Sequence, residues 1–169
     1  KMLRNLQVAV IALLLPVAVL CDESGKVTGR GFGDDYNWWN FVEGIRESER
    51  TSKPAMVVVH KSWCGACKRL GPQFASSQEI KELASSFVLI NVHDDEEPTD
   101  PAWAPDGGYI PRILFYDGLF GDMVTDPGVG SGNEKYKHFF GNPSDIARAM
   151  RKALEVVAAD AAADAARGR

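Results

Sequence analysis

The sequence predicts an α/β domain in which a central mixed β-sheet is flanked by helices on both faces. Two short apolar runs, at residues 55–60 and 87–92, are typical of strands covered on both faces, and a helical segment lies between them. A third observation is Asp117-Gly118, a strong hairpin signal between two further strand-like segments. With 169 residues, 45% of them hydrophobic, the chain can bury one core but is too short for two ordinary domains.

The N-terminal segment has the pattern of a signal peptide, which we place at residues 1–21. Lys1 and Arg4 precede an apolar run over residues 8–20 that is followed at once by polar residues. This run is shorter than the roughly 20 apolar residues of a spanning helix, so we expect no permanent membrane anchor. Residues 22–30 are then expected to form a flexible N-terminal segment.

The first helix is predicted at residues 37–50, within a folded domain that we place at residues 31–158. Charged side chains lie largely opposite its apolar face, as in an amphipathic helix. That apolar face consists of Trp38, Phe41, Val42 and Ile45.

Two strands with a helix between them come next. After the strand at 55–60, a helix opens at Trp63, and Pro72 is expected to kink or split it. The strand at 87–92 leads into an acidic run at residues 94–97. We interpret this run as a solvated loop rather than a metal site, because consecutive acids do not all face one point.

The remaining elements are a hairpin, a flexible loop and a final helix. Strands are predicted at 112–116 and 119–124, followed by a glycine-rich loop at 128–132. Asn142 and Pro143 are typical of a helix start, and apolar residues then recur at helical spacing. The Ala-rich tail at 159–169 offers little surface to bury, so we expect it to fray.

The charge balance excludes one function class. The chain has 19 basic and 23 acidic residues, a formal net charge of −4 and a pI near 5.4. No overall basic field attracts it to phosphate backbones, so we expect no nucleic-acid partner. Three cysteines are too few for a disulfide-stapled small fold, so each must be interpreted by its position.

The candidate chemistry lies in Cys64-Gly65-Ala66-Cys67, at the start of a predicted helix. Unpaired amides and the positive end of the helix dipole stabilise a thiolate at Cys64. Cys67 lies within bonding reach, so a disulfide can form and reopen. We predict that Cys64 attacks a client disulfide and that Cys67 resolves the mixed disulfide.

Two other uses of this cysteine spacing stay open. A zinc site normally needs a second Cys or His pair, and His60, His93 and His138 form none in sequence, so we predict no metal. A permanent structural disulfide is the second alternative, although so short a loop constrains the unfolded chain little.

Three more residues are candidates for binding a client. Ile110-Pro111 precedes the third strand, where a cis peptide facing the cysteines would expose the Ile110 backbone to an extended segment; an ordinary trans proline is the alternative. Trp63 can shield the nucleophile and pack on a client. Lys61 and Lys68 are interpreted as solvated surface lysines.

These motifs together resemble a known family. The chain is similar to the small secretory-pathway thioredoxin-like proteins typified by thioredoxin domain-containing protein 12, which are related to the anterior gradient proteins. The redox pair and the Gly-Gly-Tyr-Ile-Pro segment are specific in combination. The matching stretches are residues 31–34, 56–68, 87–98 and 105–115.

The resemblance implies a thioredoxin fold, thiol–disulfide exchange on client proteins, and residence in the endoplasmic reticulum lumen. It carries over Cys64 and Cys67 as the redox pair and Pro111 as a cis-proline. It implies no bound cofactor, glutathione as a candidate redox partner, and a monomer. No retrieval tetrapeptide is present, so secretion is an alternative destination.

One absence separates the chain from ordinary thioredoxins and protein disulfide isomerases. They resemble one another in placing a buried acid six residues before the first cysteine, where this chain has Val58. Resolution by Cys67 is therefore expected to be slower, or to use water or the acidic loop for proton transfer. The alternative function is that of a non-catalytic, client-binding protein of the anterior gradient type, which needs only Cys64.

Overall fold

Five strands form one mixed sheet in the computed structural model, which describes residues 25–168. The strands are β1 Trp38–Trp39, β2 Ala55–His60, β3 Val88–His93, β4 Arg112–Asp117 and β5 Asp122–Met123. Their order in the sheet is β1-β3-β2-β4-β5; the first three in this order are parallel, and β4 and β5 run antiparallel to their neighbours. The helices are α1 Phe41–Thr51, α2 Gly65–Ser76, α3 Gln78–Ala84 and α4 Pro143–Ala166. The signal peptide predicted at residues 1–21 lies outside the described residues.

The sheet is covered on both faces, which confirms the predicted fold class. Side chains alternate along β2, so Met56 and Val58 join the core under α2, α3 and α4, whereas Val57 and Val59 join the core under α1. All six residues of β2 are buried, as its apolar run predicts. The cysteine-bearing helix therefore lies on the same face as Val58.

The N-terminal edge of the domain differs from prediction. Trp38 belongs to the short strand β1, paired with Leu89, rather than to the first helix. That helix begins at Phe41, because the Asn40 side chain accepts a hydrogen bond from the Glu43 amide at 2.9 Å and caps it. The predicted helix start at residue 37 is wrong by about one turn.

The segment preceding β1 is held against the sheet. A flexible segment is expected at residues 22–30, whereas in its described part Lys26 bridges to Trp39 and the Val27 amide donates to the Trp38 carbonyl at 3.1 Å. The Gly29 carbonyl accepts a hydrogen bond from Asn91 inside the domain. Residues 25–30 thus form part of the folded domain's edge.

The predicted helix break occurs later than Pro72. Helix α2 continues through Pro72 and ends at Ser76, and Ser77 has the extended backbone that separates α2 from α3. The Ser77 hydroxyl accepts from the Ile80 amide at 3.4 Å and caps α3.

The hairpin is confirmed, but its turn is longer than the predicted two residues. Residues 118–121 connect β4 to β5. The Asp117 carboxylate accepts from the amides of Leu119 and Phe120, which shapes the longer turn. Helix α4 begins at Pro143, as predicted, but the fraying expected for residues 159–169 is wrong as far as Ala166, because the helix continues to that residue.

Candidate redox site

Cys64 occupies the N-cap of α2. Its backbone is extended, with φ −76° and ψ 112°, and its sulfur accepts a hydrogen bond from the Cys67 amide at 3.0 Å. A thiolate placed here receives an amide hydrogen bond and lies at the positive end of the helix dipole. The local structure therefore favours the nucleophilic form of Cys64.

Cys67 lies one turn into the helix and is joined to Cys64 by a disulfide, with their Cα atoms 5.3 Å apart. Cys64 and Cys67 are 6% and 3% exposed, so the pair is largely shielded. The geometry permits a bond between the two sulfurs without moving the helix.

Pro111 approaches the same end of the sheet. The Ile110-Pro111 peptide is cis, as the resemblance implies. Because Val59 pairs with Arg112 across β2 and β4, Pro111 lies beside the carboxyl end of β2, from which the chain leads to Cys64. Ile110 is half-buried against the α1 side of the sheet. The proposed contact of this segment with a client stays a prediction.

Trp63 is the most prominent apolar group at the site. It directly precedes Cys64, and 73% of its surface is exposed, more than that of any other large hydrophobic residue in the described chain. An indole left in solvent beside a reactive thiol is available to pack on a partner. Its role in client binding is likewise still a prediction.

The acidic run at residues 94–97 is solvated only in part: Asp95 and Glu96 are exposed, as the sequence predicts, whereas Glu97 is partly buried. Glu97 binds the Lys61 ammonium at 2.8 Å and also accepts from the Arg112 guanidinium. Burial alone would raise the pKa of Glu97, but the hydrogen bonds from Lys61 and Arg112 outweigh it and hold that pKa below its ordinary value. Glu97 is drawn inward because Arg112 is fully buried and needs a counter-charge.

The same loop holds the chain just before the cysteines. The Asp94 carboxylate accepts from the Ser62 amide at 2.7 Å, and this hydrogen bond is the main cause that lowers its pKa. The Asp94 carbonyl accepts from Lys61, and Glu96 pairs with Arg30. Lys61 is therefore a fixed, mostly buried residue of the site, and its interpretation as a solvated surface lysine is wrong.

Sequence reasoning missed a buried polar pair under the site. His60 is 3% exposed, and its Nε2 lies 2.8 Å from Oδ1 of the fully buried Asn91. Burial lowers the pKa of His60. The available signal was a histidine that continues the apolar run of β2 two residues after Val58, on the same face.

Val58, at the position where thioredoxins carry a buried acid, has apolar surroundings in the structure. Val58 is fully buried in the core beneath α2.

Within residues 25–168, no group of three or more His, Cys, Asp or Glu side chains is arranged to hold a metal ion. The rings of His60 and His93 contact each other in a tilted arrangement, with centroids 4.7 Å apart.

Comparisons with known proteins agree with this fold. A thioredoxin-like family model matches residues 37–118. A solution structure of a thioredoxin from Thermus thermophilus superimposes with a TM-score of 0.53 at 17% identity, covering 70% of this chain and 87% of that one. At this identity the likeness shows the fold alone.

Curated relatives define the family more closely. Anterior gradient protein 3 of Mus musculus is 32% identical over 137 residues, covering 78% of this chain and 79% of the relative. Anterior gradient protein 2 of Xenopus tropicalis is 33% identical over 159 residues, covering 90% and 93%. The human anterior gradient protein 2 homolog is 33% identical over 136 residues, covering 78% and 74%. The chain therefore belongs to the anterior gradient family of thioredoxin-like proteins.

Proposed function

We propose that the protein is a thiol–disulfide oxidoreductase that acts on disulfides of client proteins. The observation that carries this proposal is the bonded Cys64–Cys67 pair at the N-terminus of α2, where the Cys64 sulfur accepts an amide hydrogen bond. Both cysteines of a catalytic pair are present, and a helix start is where a thiolate is stabilised. In these respects the chain is of the type of thioredoxin domain-containing protein 12.

The reaction in the reducing direction proceeds in two exchanges. The Cys64 thiolate attacks a client disulfide, forms a Cys64–client disulfide and releases one client thiol. The Cys67 thiolate then attacks the Cys64 sulfur, which forms the Cys64–Cys67 disulfide and releases the second client thiol. The two electrons gained by the client come from the two protein thiols. Glutathione is the proposed partner that reduces the pair again, with no bound cofactor.

Client contacts are assigned to the surface around the nucleophile. Trp63, with 73% of its surface exposed, offers an apolar contact beside Cys64. Ile110 and the cis Pro111 supply a short backbone segment just before β4 that an extended client can pair with. We expect the protein to act as a monomer on its clients.

The proposed location is the endoplasmic reticulum lumen, with secretion as the alternative. The support is the signal-like pattern of residues 1–21 and the resemblance to secretory-pathway proteins. Across the described residues 25–168, no helix has the length and apolarity needed to cross a membrane. Oxidation of a cysteine pair is also favoured in that compartment.

Insulin reduction in the presence of glutathione tests the proposal. We expect turnover with the wild type and none with Cys64→Ser, which removes the attacking sulfur. Cys67→Ser is the matched control, because it keeps the nucleophile; mixed with insulin in the absence of glutathione, it is expected to stop at a mixed disulfide detectable by mass spectrometry. Equal turnover of wild type and Cys64→Ser would rule out this function.

Client holding without turnover is the second candidate, favoured by the solvent-exposed Trp63. If this is the function, the wild type fails to reduce insulin but suppresses aggregation of an unfolded client. Trp63→Ala would then weaken the suppression, whereas Cys67→Ser would leave it unchanged. The bonded cysteine pair favours the oxidoreductase over this candidate.

A further inference from the structure

A titratable side chain lines the same pocket as the resolving cysteine and has no role in the proposed exchange steps. His60 is the last residue of β2, and it lines one pocket together with Cys67, Phe32 and Pro72. It follows Val58 by two residues and therefore lies on the face of the sheet that carries α2. Its ring contacts Phe32, with centroids 4.7 Å apart, and Phe32 contacts Phe74 of α2.

Asn91 determines which nitrogen of His60 carries the proton. The Asn91 Nδ2 donates to the Gly29 carbonyl at 2.9 Å, so its Oδ1 is the atom that faces His60. An amide oxygen only accepts, so the His60 Nε2 must donate to it. In the neutral ring, the lone pair is then on Nδ1. The buried pair thus holds one tautomer of His60.

We propose that His60 is the base that takes the proton of the Cys67 thiol, with Asn91 as the positioning residue that holds its tautomer. The proposal rests on the oxidoreductase function proposed above. It accounts for how Cys67 loses its proton although the buried Val58 occupies the position where thioredoxins carry an acid. The base lies two residues farther along the same strand and on the same face.

The proton and the electrons balance within the two exchanges. The Cys67 proton passes to Nδ1 of His60, directly or through one water molecule. The Cys67 thiolate attacks the Cys64 sulfur, and the Cys64–Cys67 bond forms as the Cys64–client bond breaks. The electron pair leaves on the client sulfur as a thiolate. His60 then returns the proton to that thiolate or to solvent.

The surroundings of His60 favour the neutral ring that a base requires. Burial is the main cause that lowers its pKa; His93 and Arg30 lower it further, whereas the hydrogen bond to Asn91 and the charge of Asp94 oppose them. Lys61 and Lys68 also line the pocket, and Arg30 of the lining is paired with Glu96. At neutral pH the ring is therefore uncharged and able to accept a proton.

Stopped-flow reaction of the reduced protein with the aromatic disulfide dithiobis(nitrobenzoic acid) separates the two steps. The first thionitrobenzoate release reports the attack by Cys64, and the second reports the attack by Cys67. We expect the wild-type second phase to rise with pH through the His60 pKa measured by NMR titration. His60→Gln keeps an amide donor toward Asn91, and it should slow the second phase roughly 100-fold at pH 7 while leaving the first unchanged.

His93→Gln is the matched control, because the His93 ring contacts that of His60 but is more exposed, and this variant should retain both phases. An unchanged second phase in His60→Gln, or its loss in His93→Gln instead, overturns the proposal and leaves the oxidoreductase function standing. A wild type without a second release overturns both. If His60→Gln does not fold, the wild-type profile decides: a second-phase inflection away from the NMR pKa of His60 overturns the proposal.

Discussion

Arg112 and Glu97 form an ion pair directly behind the candidate redox site, with the guanidinium fully buried and the carboxylate a quarter exposed. Arg112 follows the cis Pro111 in sequence, and Glu97 also binds Lys61, three residues before Cys64. One carboxylate therefore joins the two chain segments that thiol exchange needs close together. Glu97 is a positioning residue for the site.

Glu97→Gln is expected to destabilise the protein by about 2 kcal/mol, because it leaves the buried Arg112 without a counter-charge. The value is below that of a fully buried pair since the carboxylate is partly exposed. Glu96→Gln is the control, because its partner Arg30 is partly exposed, and it should cost less than about 1 kcal/mol. Urea unfolding of both reduced proteins measures the difference, and equal small losses would contradict the prediction.

Gly118→Ala is expected to destabilise the hairpin end of the sheet. A Cβ at residue 118 would lie 2.3 Å from the Ser48 carbonyl oxygen and 2.4 Å from the Lys53 carbonyl oxygen, and backbone atoms cannot move aside easily. We expect a loss of about 1–3 kcal/mol in thermal or urea unfolding. Gly108→Ala is the control, since a Cβ there meets no atom within 4 Å. Similar stability of the two variants would show that residues 48–53 can withdraw from the turn.

Stability is expected to fall as the pH drops below about 6.5. Burial lowers the pKa of both His60 and His138 in the folded protein, whereas the unfolded chain titrates near 6.5. The unfolded state therefore binds more protons in this window, and the folded state loses stability until the pH passes below the two folded-state pKa values.

The melting temperature of the oxidised protein at pH 7.5 and 5.5 measures this loss. His138→Gln should show a smaller decrease than the wild type between these values, because one of the two neutral histidines is gone. The carboxylates Glu96 and Glu97 have lowered pKa values, so their contribution is lost only as the pH falls below about 4.5. A wild-type melting temperature that rises on acidification to pH 5.5 would contradict the assignment.

The elements that were predictable from the sequence are those with strong local signals. The apolar runs of β2 and β3 specify buried strands by composition alone, and the cysteine pair lies at a helix start because Cys64 can cap it. In contrast, β1 has only two residues and exists through pairing with β3, some fifty residues away. No periodicity can reveal so short a strand.

The charged contacts of the site were not predictable either, because they too depend on segments that are distant in sequence. Residues 94–97 are a run of acids that ordinary solvation accounts for, until the fold places the buried Arg112 beside Glu97. Likewise, His60 and Asn91 are 31 residues apart and meet only because β2 and β3 are neighbours. Contacts of this kind are set by strand register, which the sequence pattern indicates only weakly.

Ala66→His is expected to make the redox pair more oxidising. Residue 66 lies between the cysteines in the first turn of α2 and is partly exposed, so a histidine fits there without displacing the core. A nearby imidazolium stabilises the Cys64 thiolate and hence the reduced protein. If the histidine lowers the pKa of the Cys64 thiol by one unit, the equilibrium constant for reduction of the pair rises about tenfold. This corresponds to a reduction potential that is roughly 30 mV higher for this two-electron couple.

Titration of both proteins in glutathione buffers, with alkylation of free thiols before mass spectrometry, gives the two potentials. Ala66→Gln is the control, because it adds a side chain of similar size without a charge, and it should keep the wild-type potential. Equal shifts in the histidine and glutamine variants would mean that bulk at residue 66, rather than charge beside Cys64, sets the change. A shift confined to the histidine variant would show that the Cys64 thiolate responds to charge at the start of α2.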